Sequence, residues 1–233
     1  MSNRRQRHAR LGLEVLEDRT TPAVLTVNSA GDVAGTNDLT LREALEAVIA
    51  GNWNNLNMQQ RAKVDRTEDF GMNDKIVFDT PAGADIKVAS ALPNISKKVK
   101  IDGEGFGEYL SGENAGNGVD GLKFVAGAEG SIVRSLMIGK FTGNGITIQT
   151  DLVTVTNCNI GVGSYGNGGA GILVKGDWNQ IGLVDGEGQG GNTIADNAKE
   201  GVYIEGSEGG AGVYRQSPAP WRWTSTAPPS STS

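Results

Sequence analysis

GNTIADNAKEGVYIEG, residues 191–206, sets Ile194, Val202 and Ile204 among asparagines and glycines, with no apolar run long enough for a helix. Alternating apolar positions of this kind fit a strand of about three residues, too short to stand alone in water. Such strands persist only where something stacks on them, so the pattern must recur. It does. Ile-Gly occurs at 138–139, 160–161 and 181–182, in steps of 22 and 21 residues. Phe124 and Ile146 lie 22 apart, as do Val133 and Val155, and Ile172 and Ile194. Ile181 to Val202 is again 21.

Three interleaved apolar series at one period predict about three short strands per repeat, each repeat burying its apolar face only against its neighbours. A leucine-rich repeat shares this period but needs a leucine-dense consensus, and leucine is sparse here. The pattern therefore predicts an all-β chain: a right-handed parallel β-helix with coils of about 22 residues and three strands per coil. Phe124/Ile146, Val133/Val155 and Ile138/Ile160/Ile181 are expected to form inward-facing stacks, with Cys158 close to one of them.

Glycine contributes 35 of 233 residues, about twice its usual share of ~7%. A coil bends sharply between strands, and bends favour residues that tolerate positive φ, Gly and Asn first. Asn144, Asn157, Asn159, Asn179, Asn192 and Asn197 are read as such joints, and stacked coils offer their amides partners above and below.

The chain divides into four stretches. Residues 1–22 are a basic leader with no apolar core of a signal peptide, expected to be disordered or processed. Residues 23–110 form an N-terminal cap module of a strand, an amphipathic helix and the first coils. The β-helix repeats fill 111–210. Residues 211–233, rich in Pro, Ser and Thr, read as a disordered tail or as the product of a truncation or frame shift. Within the cap module, Leu41, Ala44, Leu45, Val48 and Ile49 form one helical stripe. Thr40 and Glu43 have capping-box spacing and Gly51 suits the C′ position. The helix is expected to cover the open end of the first coil with Leu41, Leu45 and Val48, leaving Arg42 and Glu46 outward.

At this point the residues resemble a known family. LTVNSAGDVAGTNDLTLREALEAV (25–48) is similar to the CSLREA-type N-terminal module of bacterial surface proteins, in which a strand, a Gly/Asp-rich loop and a (S/T)LREA helix precede a β-helix. Ile76-Val77-Phe78, Leu92-Pro93-Asn94-Ile95 and Val99-Lys100-Ile101-Asp102-Gly103 resemble that family's next segment. QIGLVDGEGQGGNTIADNAKEGVYI (180–204) resembles its β-helix repeat, of pectate-lyase-like type, and LEVLEDRTTPAV (13–24) its leader. Leu39-Thr40 stands where the motif has Cys-Ser, so no role of that cysteine carries over. The resemblance implies a secreted or cell-surface bacterial protein, structural or adhesive, with surface polysaccharide or other cell-surface proteins as partners. End-to-end self-association through an uncapped last coil is a further expectation.

Chemistry is sparse. The competing reading is a polysaccharide lyase or glycosidase fragment, which needs a strong base with carboxylates, or paired carboxylates. Arg134 is the one arginine between positions 67 and 214, with Lys123 and Lys140 nearby in sequence. Asp102/Glu104, Asp177 and Asp185/Glu187 lie in Gly-rich stretches and read as solvated loop carboxylates. The DGEG clusters at 102–105 and 185–188 match neither the EF-hand nor the RTX calcium pattern. His8, the single histidine, lies in the basic leader, which excludes histidine chemistry from the repeats. No phosphate-binding, nucleophile-elbow or dinucleotide motif is present. Cys158 is the single cysteine and reads as a small core residue. A net charge of −6 disfavours nucleic acid, and no apolar stretch approaches a membrane span. The sequence thus assigns no catalytic, cofactor-binding or metal-binding residue.

Overall fold

The computed structural model describes residues 22–205 apart from 66–69, 72, 82–83, 105–107 and 183–190. The basic leader up to residue 21, the tail from 211, and Asp185, Glu187 and their DGEG cluster lie outside the described residues. The chain opens with β1 (Val24–Val27), α1 (Leu41–Ala50), the short α2 (Met58–Arg61) and β2 (Val64–Asp65). Then it winds. The first coil holds β3 (Asp74–Phe78) and β4 (Asp85–Lys87), with a single bridge from Ile95 to Phe124 in place of a third strand. The second holds β5 (Val99–Asp102), β6 (Tyr109–Ser111) and β7 (Leu122–Phe124). The third holds β8 (Ile132–Arg134), β9 (Met137–Gly139) and β10 (Ile146–Ile148). The fourth holds β11 (Thr154–Thr156), β12 (Asn159–Ile160) and β13 (Ile172–Val174). The fifth holds β14 (Gln180–Ile181), β15 (Thr193–Ile194) and β16 (Val202–Ile204).

Strands of successive coils pair in parallel and form three long sheets, so about five turns make a right-handed parallel β-helix. In the first sheet β1 and β2 extend the stack before β3, and β1–β2 is its one antiparallel pair among the described residues. The core runs unbroken from α1 through residue 110 into the last described coil.

Register identifies the inward stacks. In the first sheet Leu25, Ile76, Ile101, Val133, Val155 and Ile181 lie one above another. In the second the stack is Ile86, Leu110, Ile138, Ile160 and Ile194. The third sheet has two: Leu122, Ile146, Ile172 and Val202, and Phe124, Ile148, Val174 and Ile204. Val133/Val155 and Ile138/Ile160 stack as expected, but two assignments from sequence spacing change. Ile181 belongs above Val155, not Ile160, and Phe124 lies under Ile148 while Ile146 lies over Leu122. Ile172 and Ile194 fall on different sheets. The reason is loop length. The 22-residue step is real between Val133 and Val155 and between Ile138 and Ile160, but Ile160 to Ile194 takes 34. Cys158 is fully buried beside these stacks, and burial pushes its thiol up to about 12 despite nearby backbone N–H groups. Ile160 has no exposed surface. Ile160→Ala is expected to cost about 2–4 kcal/mol, read as a lowered urea midpoint with unchanged m-value.

Asparagines staple the later coils together. Asn179 accepts from Val153 N–H and donates to the Thr150 carbonyl. Asn192 accepts from Cys158 N–H and donates to the Val155 carbonyl. Asn197 accepts from both the backbone N–H and the side-chain amide of Asn167, and donates to the Ile160 carbonyl. Asn167 in turn accepts from Phe141 N–H. Asn144 reaches the other way, accepting from Ala170 N–H. Asn157 takes a left-handed turn (φ 51°) and bonds Ser135. Asn159 is no joint: it sits in β12, on the outer face of the second sheet. Positive φ is also taken by Ser135, Lys140, Leu152 and Trp178, so a left-handed bend alone does not explain the asparagines. Their amides satisfy corner groups that no sheet ladder reaches. At one such corner only glycine fits, because a Cβ on Gly176 would meet the Thr150 carbonyl oxygen at 1.9 Å.

The cap follows its sequence signals. Thr40 and Glu43 form the reciprocal capping box, and Gly51 ends α1 in the left-handed region. Leu41, Ala44, Leu45, Ala47 and Val48 are buried and join Leu25, Val27 and Ile76 in one core. Arg42 departs from expectation. Its guanidinium pairs with Asp32 at 2.6 Å and donates to the carbonyls of Ser90 and Ala91, tying α1 to the first coil.

Candidate functional site

Side chains on an outward strand position line up across coils, so a parallel β-helix can gather like or unlike charges without any loop. On the outer face of the first sheet, Lys75 of β3 stacks on Lys100 of β5, and Asp102 of β5 stacks on Arg134 of β8. Three successive coils thus bring three cations to one carboxylate. Arg134 Nε lies 2.8 Å from Asp102 Oδ2, Lys75 Nζ 3.3 Å and Lys100 Nζ 3.6 Å. Glu104 donates its backbone N–H to Asp102 Oδ1, and its side chain pairs with Lys75 at 3.1 Å.

Asp102 is a strand residue with no exposed side-chain surface, not the solvated loop carboxylate expected from its Gly-rich context. Burial acts to raise its pKa. The Arg134 guanidinium close by, the Glu104 N–H and the Lys75 charge outweigh that effect and hold it below the usual carboxylate range. The cations keep partial exposure: 16% for Arg134, 25% for Lys75 and 28% for Lys100.

The three basic residues gathered from sequence are not brought together. Arg134 is in β8 of the first sheet, Lys140 follows β9 of the second, and Lys123 is in β7 of the third. Lys140 pairs with Glu113 at 3.6 Å and lies over the Tyr165 ring, which in turn packs on buried Tyr109. Asp177 stays at a corner, its N–H donating to Asp151 of the coil before. Sequence reasoning missed Lys75 and Lys100. Their signal was legible: DKIVF and VKIDG superpose lysine on lysine once the coil step is taken as 25 residues.

Chemically the cluster can cross-link coils. It is poorly suited to proton abstraction or metal binding, since the carboxylate faces cations and is shielded from solvent. Among the described residues, no helix is long and apolar enough to cross a membrane. Comparison of the chain with models of protein families, with curated proteins and with solved structures finds no match in any of the three.

Proposed function

We propose that the chain is a non-catalytic, structural or adhesive β-helix segment of a secreted or cell-surface bacterial protein, of the CSLREA-type, pectate-lyase-like kind that its sequence resembles. The observation that carries this reading is the orientation of Arg134. It is the base that a lyase would have used, yet its Nε is turned into the sheet face toward a fully buried Asp102. Carboxylates and cations from adjacent coils do converge, but on one another. The charge serves cohesion between coils.

The test is turnover. A panel of uronate and neutral polysaccharides incubated with the chain is expected to show no new reducing ends and no unsaturated products. Turnover abolished by Arg134→Ala, with the circular-dichroism spectrum unchanged, would overturn the scaffold reading in favour of a carbohydrate-active enzyme.

A further inference from the structure

The third sheet presents a different outer face. Tyr203 of β16 pairs in register with Leu173 of β13, and Tyr203 is 44% exposed. These two side chains and Ala170 lie in a groove of about 360 Å³ that spans three coils, near the lower end of the roughly 300–1,000 Å³ common for ligand sites. Asn144, Lys199, Glu200 and Glu205 complete its lining.

The walls are fixed by the coils below. Lys199 N–H donates to the Gly169 carbonyl, the Glu200 carbonyl accepts from Gly171 N–H, and Glu205 N–H donates to the Val174 carbonyl. Lys175 holds the Glu205 carboxylate at 2.8 Å. Asn144 is locked between Asp120, Thr147 and Ala170, so it is a wall and not a loose donor. The backbone that carries these side chains is thus held in place by the coil below.

The lining holds Lys199, Glu200 and Glu205, and Lys175 beside it neutralises Glu205, so these groups carry no excess charge to select an anionic or cationic sugar. An exposed aromatic face beside Leu173 and Ala170 matches the C–H face of a pyranose ring, and the Lys199 and Glu200 head groups match its hydroxyls. We propose that this groove binds a neutral oligosaccharide, with Tyr203 as the stacking platform and Lys199 and Glu200 as partners for ring hydroxyls. The inference does not depend on the scaffold reading, which rests on the first sheet. Binding without turnover satisfies both, and absence of binding removes this one alone.

Saturation-transfer NMR on the full chain tests it, with neutral gluco-, manno-, galacto- and xylo-oligosaccharides and with oligogalacturonate as the charged arm. The best neutral sugar is expected to bind with a Kd of about 0.1–1 mM, as suits a shallow site with one aromatic. Tyr203→Ala should weaken it at least tenfold, while Tyr203→Phe, which keeps the stacking face, should stay within about twofold. Glu200→Gln, at an exposed loop position, should weaken it severalfold and decides the matter if Tyr203→Ala does not fold. No transfer from any neutral sugar, tighter binding of oligogalacturonate, or neutral-sugar binding indifferent to Tyr203→Ala and Glu200→Gln would each overturn the proposal.

Discussion

Asp102→Ala is expected to destabilise the protein by about 3 kcal/mol at neutral pH, the lower part of the range for removing one partner of a buried ion pair. While Lys75 keeps its pair with Glu104, the substitution removes the carboxylate that Lys75, Lys100 and Arg134 share across three coils. Their partial exposure lets them turn to water, which keeps the cost from being larger. Because the folded-state pKa of Asp102 is lowered, its contribution is fully present above the unfolded value of about 3.9 and is lost as pH falls through the folded value. Buried Asp74 works in the opposite sense. Burial raises its pKa against bonds from Gly71 and Ala23, so protonation at low pH relieves the folded state. Urea midpoints at pH 7 and pH 3 check both signs. Asp102→Ala should lose most at pH 7, and Asp74→Asn should gain more at pH 7 than at pH 3, since the raised pKa makes the charged form the costly one. A midpoint unmoved by Asp102→Ala at pH 7 would mean that the cluster contributes nothing to cohesion.

Leu45→Asp should have the largest effect. Leu45 has no exposed surface and sits in the face of α1 that closes the core. A carboxylate there has no partner on the buried face of the helix, and the expected loss is roughly 4–5 kcal/mol, against a total of about 5–15 kcal/mol for a typical domain. The helix should detach before the coils unwind, exposing strand edges and apolar cross-section. Light scattering should therefore show association at temperatures where far-ultraviolet circular dichroism still reports strand. A variant that stays monomeric with unchanged thermal midpoint would show that α1 is an ordinary surface helix.

Much of this architecture was legible because stacking makes a β-helix write itself as a period. Ile138/Ile160 and Val133/Val155 carried the coil, and Thr40, Glu43 and Gly51 carried the cap. What the period hid was loop length. Coils close wherever the next strand reaches its neighbour, and insertions such as the one between Ile160 and Ile194 shift residues to other sheets without disturbing the stack. The same effect hid the charged cluster. Asp102 read as a loop residue because Gly103 and Glu104 follow it, yet β5 carries it one residue beyond its inward Ile101 onto the outer face. Tyr203 gave no signal at all, since an outward strand position is defined only when the coil beneath it is known.

The asparagine staples give the rod a direction. At Val153, Cys158 and Asn167 a backbone N–H of one coil is satisfied by an amide oxygen that arrives only with the following coil, and the amide nitrogen of Asn179, Asn192 and Asn197 then reaches back to an earlier carbonyl. The fourth turn is therefore finished by the fifth, as the third is finished at Phe141 by Asn167 of the fourth. A chain emerging from its N-terminus would acquire its last coils as a ratchet, Asn167 and then Asn179, Asn192 and Asn197 each locking the turn already laid down. Mechanical pulling from the two ends should then not be equivalent: peeling from the C-terminal side removes locks in order, while the α1 side opens only once its own cover is torn away.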